Sequence, residues 1–113
     1  MDFTNTEYQA DLLDFQSSHG LDGSDNARIL VISGILNVDA GHGLSFTKRT
    51  VERLGNVRIA DADIVVPGDA NGQSKGYAFV IADSAEQAAE LAEKVDGFRA
   101  DRQRTFSAQF VQN

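Results

Sequence analysis

Apolar and polar positions alternate along the chain in an order that predicts six elements from residue 28 onward. Short aliphatic, β-branched or aromatic runs predict strands, and longer segments with apolar residues three or four apart predict helices. The six segments are a strand at 28–36, a helix at 43–56, strands at 57–66 and 77–82, a helix at 84–97 and a strand at 104–111. The order β-α-β-β-α-β is typical of the ferredoxin-like α+β fold, a four-stranded antiparallel sheet with two helices on one face. We expect its other face to be free.

Each predicted helix has a defined apolar stripe and end signals. The stripe of the helix at 43–56 consists of Leu44, Thr47, Val51 and Leu54, and that of the helix at 84–97 consists of Ala88, Leu91, Ala92 and Val95. Ser84, followed three residues later by Gln87, predicts a capped start, and Gly97 predicts the end of the second helix. Both helices should therefore pack one face on the sheet.

The segment before residue 28 differs from the rest of the chain. We expect residues 1–27 to be an acidic leader and residues 28–113 to be the folded domain. Within the leader, Tyr8, Leu12 and Phe15 have the i, i+4, i+7 spacing of a short amphipathic helix. A disordered acidic leader is the alternative, because an isolated helix this short is marginal in water. If the helix forms, a further hypothesis is that it lies across the sheet and blocks it.

Charge and composition limit the classes of function. The 113 residues contain 17 acidic and 10 basic side chains, for a formal net charge of −7. Six of the acids lie in residues 1–27, which contain no Lys or Arg, so residues 28–113 carry only −1. A nearly neutral domain lacks the strongly basic surface of a tight nucleic-acid binder. The chain has no cysteine and no apolar run long enough to span a membrane, so we expect no disulfides, no membrane partner and a cytoplasmic location.

The segment "KGYAFVIA", residues 75–82, resembles the octapeptide motif of the RNA recognition motif family. Alternation along a strand predicts that Lys75, Tyr77 and Phe79 share the open face of the sheet with Val31 of the first strand. Exposed aromatic side chains there can stack RNA bases. The family's aromatic residue in the first strand is replaced by Val31. Two interpretations therefore stay open: weak stacking of single-stranded RNA, or packing of this row against the leader or a partner.

A second segment, "DGFRADRQRTF" at 96–106, is similar to the RNA recognition motifs of the b subunits of eukaryotic translation initiation factor 3. The similarity spans about residues 26–111 and includes the "GQSKGYAFV" stretch. It implies a scaffold role in translation initiation, assembly on the small ribosomal subunit, and docking of the a and j subunits. Members of this family also contain a large β-propeller, so we expect the chain to be a fragment of a longer subunit. A general reader of single-stranded RNA is the alternative function.

The same resemblance implies that the docking surface lies on the helical side and in the loop before the last strand. Six basic residues are the candidates for it: Lys48, Arg49, Arg53, Arg99, Arg102 and Arg104. A basic patch of this kind suits an acidic, aromatic-anchored peptide, in which charge steers and apolar contact anchors. The alternative is that these side chains are ordinary solvated surface charge.

Catalytic and metal-binding residues are not expected. The neighbouring glycines predict that His19 and His42 lie in loops, and a metal site needs three or four ligands. The segment "GHG" at 41–43 lacks the Lys-Ser/Thr of a phosphate-binding loop. We therefore predict a non-enzymatic protein without a cofactor.

Overall fold

The computed structural model describes residues 6–21, 23–35 and 38–110. The α-helices are α1 (Thr6–Ser18), α2 (Ala40–Gly55) and α3 (Ala85–Val95); the strands are β1 (Ile29–Ser33), β2 (Ile64–Val65), β3 (Tyr77–Ile81) and β4 (Ser107–Phe110); and two 3₁₀ helices span Gly23–Arg28 and Asp61–Asp63. Parts of the expected leader (1–5 and 22) and the ends of the first and last predicted strands (36 and 111) lie outside the described residues. No helix in the described part of the chain is long and apolar enough to cross a membrane.

The four strands form one antiparallel sheet in the order β2-β3-β1-β4. The central strands β1 and β3 are in a register that places Val31 opposite Phe79 and Ser33 opposite Tyr77. Since side chains alternate along each strand, the sheet has two faces with different sets of residues. The predicted ferredoxin-like α+β fold, with two helices on one face, is confirmed.

The main hydrophobic core lies between the sheet and the pair α2 and α3. Leu30 and Ile32 of β1 and Val80 of β3 are fully buried there, together with Val51 of α2 and Val95 of α3. The stripes predicted for both helices supply these contacts. Gly34, just after β1, has a φ of +85°, and a Cβ at this position would lie 2.3 Å from the carbonyl oxygen of Thr105. The close approach of the two chain segments therefore requires glycine.

Capping residues define both ends of α2 and the start of α3. The Asp39 carboxylate accepts a hydrogen bond from the His42 backbone N–H at 3.0 Å, so α2 begins three residues earlier than predicted. Asn56 ends α2 in the left-handed conformation, with a φ of 51°. The Ser84 hydroxyl accepts from the Gln87 N–H at 3.1 Å, which confirms the predicted start of α3.

The strand predicted at 57–66 is wrong over most of its length. Asp61–Asp63 forms a 3₁₀ helix, and only two residues pair as β2. Aspartate has a low strand propensity, and here it is engaged elsewhere: the Lys48 ammonium donates to the Asp61 carboxylate at 2.6 Å. The Ile59 N–H donates to the Glu52 carboxylate at 2.9 Å instead of to a neighbouring strand. Contacts with α2 thus replace sheet hydrogen bonds.

The expectation that the second face of the sheet is free is also wrong. The helix α1 forms where the leader's apolar spacing placed it, and its three apolar residues pack on that face. A second cluster of buried residues results, made of Tyr8, Leu12, Phe15, Ile29, Val31, Tyr77 and Phe79. The sheet is therefore enclosed by helices on both sides, α2 and α3 on one and α1 on the other.

Candidate functional site

The sheet brings together the row of side chains that the sequence placed on one face. Val31 and Phe79 are cross-strand partners, and Tyr77 is two residues from Phe79 on the same side of β3. The rings of Tyr77 and Phe79 meet edge to face, with centroids 5.6 Å apart. Lys75 lies just before β3, beside this row. The shared face is as predicted, but the predicted exposure of the row is not.

Burial under α1 is the reason that the predicted exposure is wrong. Tyr77 is 6% exposed and Phe79 is 0% exposed. The Tyr8 ring lies 5.6 Å from the Tyr77 ring and 5.7 Å from the Phe79 ring, and the Phe15 ring lies 5.6 Å from Phe79. Since Leu12 is buried between the turns that carry these rings, α1 contributes a continuous apolar face. The flat surfaces that could stack bases are occupied by the chain itself.

A single carboxylate satisfies the polar groups of the same row. Asp11, on α1, accepts hydrogen bonds from the Lys75 ammonium at 2.9 Å and from the Tyr77 hydroxyl. The Lys75 and Asp11 side chains are only 14% and 18% exposed, so the pair is largely removed from solvent. Burial raises the pKa of the neighbouring Tyr8. The one lysine of the row is therefore paired within the chain and is not available to a phosphate.

The C-terminal end of α1 is fastened to the rim of the sheet by His19. One ring nitrogen lies 2.9 Å from the Phe15 carbonyl oxygen, and the other lies 2.5 Å from the Ala62 carbonyl oxygen. The Asp63 carboxylate is 3.6 Å from the second nitrogen. On the opposite flank, the Gln16 amide donates to the Asn26 side chain at 2.9 Å. Polar contacts on both flanks thus fix the position of α1 over the sheet.

The six basic candidates are divided among different parts of the surface. Lys48 is paired with Asp61 and faces the second 3₁₀ helix, so it is separated from the other helical arginines. The hydrogen bond to Asp61 raises the pKa of Lys48 and lowers that of Asp61. Arg49 and Arg53 are both exposed and lie one turn apart on another flank of α2. The structure therefore places two of the three α2 residues on one flank.

Arg49 and Arg53 border a shallow pocket of about 420 Å³ whose other lining residues are Phe46 and Thr50. The Phe46 ring meets Phe106 edge to face, with centroids 6.2 Å apart. Sequence reasoning did not select Phe46, because an aromatic residue on an amphipathic helix reads as part of the core. Its partial burial beside two arginines gives this flank of α2 both an apolar floor and a basic rim.

The loop before β4 holds the other three arginines in a compact turn. Asp101 accepts hydrogen bonds from the backbone N–H groups of residues 103 and 104, each at 2.8 Å. Arg99 donates to the Arg102 carbonyl at 3.1 Å, and Arg104 donates to the Ile35 carbonyl at 3.4 Å. The ring of Phe98, at the start of the loop, lies 5.7 Å from that of Phe106. Phe106 therefore connects this loop to Phe46 and the arginine flank of α2.

Within residues 6–21, 23–35 and 38–110, no group of three or more His, Cys, Asp or Glu side chains is arranged to hold a metal ion. The short His42 to Asp39 contact belongs to the helix cap described above. The chemistry that the described surface offers is recognition by charge, hydrogen bonding and apolar contact.

Comparisons with known proteins agree with the similarity found in the sequence. The chain is 32% identical over 82 residues to the B subunit of eukaryotic translation initiation factor 3 from Mycosarcoma maydis. The match includes 70% of this chain and 11% of that protein, so the chain spans about a ninth of the relative's length. No family model matches the chain.

Solved structures share the fold at low sequence identity. The RNA recognition motif of Rna15 is similar in a form with bound GU RNA, with a TM-score of 0.56 and 18% identity over 76% of this chain and 84% of that chain. A second Rna15 structure gives a TM-score of 0.57, 18% identity, and coverage of 76% and 91%. The human G-rich RNA sequence binding factor 1 gives 0.55, 14% identity, and coverage of 75% and 80%.

Proposed function

We propose that this chain, which has the RNA recognition motif fold and is similar in sequence to the B subunit of translation initiation factor 3, is a protein-docking module of a scaffold subunit in translation initiation. Its sheet is closed to RNA, and its opposite side binds other initiation factor subunits during assembly on the small ribosomal subunit. A cytoplasmic location and the absence of catalysis follow from that role. The scaffold role, the location and the absence of catalysis are proposed for the whole protein of which this chain would be a domain. They are based on the similarity to the B subunit of initiation factor 3.

The observation that carries this proposal is the burial of the sheet-face row under α1. Base stacking needs an open aromatic surface, and Tyr77 and Phe79 are each 6% exposed or less. The acidic segment that holds α1 also opposes the approach of a phosphate backbone. An RNA strand would have to displace Tyr8, Leu12 and Phe15 together. Apolar burial of three such side chains makes this displacement unfavourable.

The docking side is supported by the arginine flank of α2. Arg49 and Arg53 remain exposed, and the pocket between them has Phe46 in its wall. An acidic peptide with one aromatic or aliphatic anchor would place its anchor against Phe46 and its carboxylates near the guanidinium groups. Arginine suits this role because its planar fork binds carboxylates in a bidentate manner. By resemblance, the a and j subunits are the partners that would supply such a peptide.

The experiment is an amide-shift titration of the isotope-labelled chain with acidic, aromatic-containing peptides from the a and j subunits. We expect saturable shifts at Phe46, Arg49, Thr50 and Arg53. Arg49→Glu should weaken binding by about tenfold, because one favourable charge contact becomes repulsive. Arg58→Glu is the matched control, since Arg58 is exposed but lies outside this pocket. Equal affinity of the two variants would contradict the docking surface.

The alternative, a reader of single-stranded RNA, is favoured by one observation: Lys75, Tyr77 and Phe79 are all present on the face of the sheet that α1 covers. Its test uses the same labelled chain with a pool of short single-stranded RNA. Shifts at Tyr77 and Phe79 that disappear in the Tyr77→Ala, Phe79→Ala double variant would favour the reader over the docking module. We expect no shifts at these positions.

A further inference from the structure

A cleft of about 510 Å³ lies between α1 and the strand β2, at the edge of the sheet that α1 leaves uncovered. Its apolar lining includes Phe15 from α1, Ile64 and Val65 from β2, and Pro67. Val65 is 37% exposed and is paired with Phe79, so its side chain is on the α1 face of the sheet. The closed sheet thus ends in an apolar groove that is open to solvent on one side.

Carboxylates surround this apolar floor. Asp11 and Asp14 contribute from α1, and Asp61 contributes from the opposite wall. Among the described residues, no Lys or Arg lines the cleft. Asp14 is exposed and forms no ion pair with any described residue, in contrast to Asp11 and Asp61, which are paired with lysines outside the cleft. The uncompensated charge that a ligand would meet inside the cleft is therefore the negative charge of Asp14.

The size and chemistry of the cleft favour a short peptide as its ligand. An apolar lining and a volume of about 510 Å³ fit a few side chains better than a single cation. The carboxylates would repel a nucleic-acid backbone. The strand β2 is at the end of the sheet order, so no strand of the described chain lies beyond it, and an extended segment could run alongside it. A short extended peptide with apolar and basic side chains meets all of these conditions.

We propose that this cleft, termed the acidic cleft, is a second docking site that binds a basic, apolar-anchored segment of a partner protein. The apolar side chains of that segment would lie against Val65 and Pro67, and a Lys or Arg side chain would pair with Asp14. The acidic cleft is separate from the arginine flank of α2 and has the opposite charge. The domain would therefore bind two partner segments of opposite charge at once.

The probe for this site is an acetylated, amidated peptide of sequence Lys-Leu-Arg-Leu-Lys, titrated into the isotope-labelled full chain. A peptide of the same length with Glu at the basic positions is the ligand control. We expect saturable shifts at Asp14, Ser18, Val65 and Gly68 with the basic peptide alone, and weaker binding at higher salt. Shifts with both peptides, or with neither, would overturn the proposal.

The charge variant is Asp14→Lys, whose side chain is exposed on α1, so the fold should be retained. It should weaken binding of the basic peptide by about tenfold. Glu90→Lys, an equal change of charge on the exposed surface of α3, should leave the affinity unchanged. If Asp14→Lys fails to fold, Asp14→Asn should still weaken binding. Equal affinities of the Asp14 and Glu90 variants would show that the attraction is general and would overturn the site.

Two other occupants are distinguished by the same measurements. If the resonances of the acidic cleft and of Arg49 and Arg53 shift together with protein concentration in the absence of peptide, a second copy of the chain occupies the cleft. If a short single-stranded RNA shifts Val65 and Gly68, the ligand is nucleic acid. Either result would replace the basic partner segment as the ligand.

Discussion

Phe15→Ala is the substitution that most directly weakens the contact between α1 and the sheet. Phe15 is 4% exposed, and its ring lies against Phe79 at 5.6 Å and against His19 at 4.4 Å. Truncation removes both ring contacts and leaves a cavity above Phe79. The loss thus includes the transfer free energy of the ring and the cost of the cavity.

The expected decrease in the free energy of unfolding is about 3 kcal/mol, at the lower end of the range for buried Phe→Ala substitutions. This decrease has an upper limit if α1 detaches from the sheet before the rest of the domain unfolds. Once α1 has left the sheet, the loss of another contact made by this helix cannot lower the stability of the remaining domain. The decrease is therefore limited by the free energy with which α1 is docked.

Tyrosine signals give an assay that reports on this contact alone. The chain has two tyrosines and no tryptophan, and both Tyr8 and Tyr77 lie at the α1 interface. Urea unfolding would be followed by tyrosine near-ultraviolet circular dichroism and, separately, by far-ultraviolet circular dichroism. In Phe15→Ala we expect either a lower common midpoint or a tyrosine transition that precedes the far-ultraviolet one.

Leu13→Ala is the matched control on the same helix. Leu13 is 61% exposed, so its truncation should change the free energy of unfolding by no more than about 0.5 kcal/mol. A Phe15→Ala protein whose two transitions both match those of Leu13→Ala would refute the docking of α1. Such a result would mean that the aromatic row of the sheet is open in solution.

Three further predictions concern the rest of the fold. Thr47→Val should raise the free energy of unfolding by about 1 kcal/mol, because the buried Thr47 hydroxyl has no hydrogen-bond partner among the described residues; an unchanged or lower urea midpoint would contradict this. Gly34→Ala should lower it by about 2 kcal/mol or more, since a Cβ would clash with the Thr105 carbonyl at a positive φ; a wild-type midpoint would be inconsistent with that geometry. The hydrogen bond from the His42 side chain lowers the pKa of Asp39. The stabilisation of α2 by the Asp39 carboxylate is therefore present above the ordinary Asp pKa of 3.8 and is lost as the pH falls through the lowered pKa. Asp39→Ala should thus reduce the urea midpoint at neutral pH but not in strong acid. A difference between the variant and the wild type that does not depend on pH would argue against this cap.

Local patterns were sufficient to predict most elements and which side chains share each face of the sheet. The alternation in β3 placed Tyr77 and Phe79 on one side, and the Ser84 cap marked the start of α3 correctly. The spacing of Tyr8, Leu12 and Phe15 indicated a helix in the leader, which the structure contains. These features depend on residues close in sequence, where the period of the backbone decides which side chains share a surface.

Features that depend on distant residues could not be derived in the same way. The spacing of an amphipathic helix shows that it has an apolar face but not what that face contacts, so the position of α1 on the sheet remained one hypothesis among three. Asp11 was one acid among six in the leader, and its pairing with Lys75 needs the two segments to meet. The ion pair between Lys48 and Asp61 also joins distant residues. It stabilises a 3₁₀ turn at 61–63, where the sequence pattern predicted a strand.

The helix α1 occupies the face of the sheet that carries Tyr77 and Phe79. Nuclear Overhauser contacts between the two tyrosine rings measure this most directly, in the free chain and in solution. We predict contacts between the Tyr8 and Tyr77 rings, whose centroids are 5.6 Å apart, and between the rings of Phe15 and Phe79. Absence of both contacts, with random-coil shifts across residues 6–18, would contradict this position of α1.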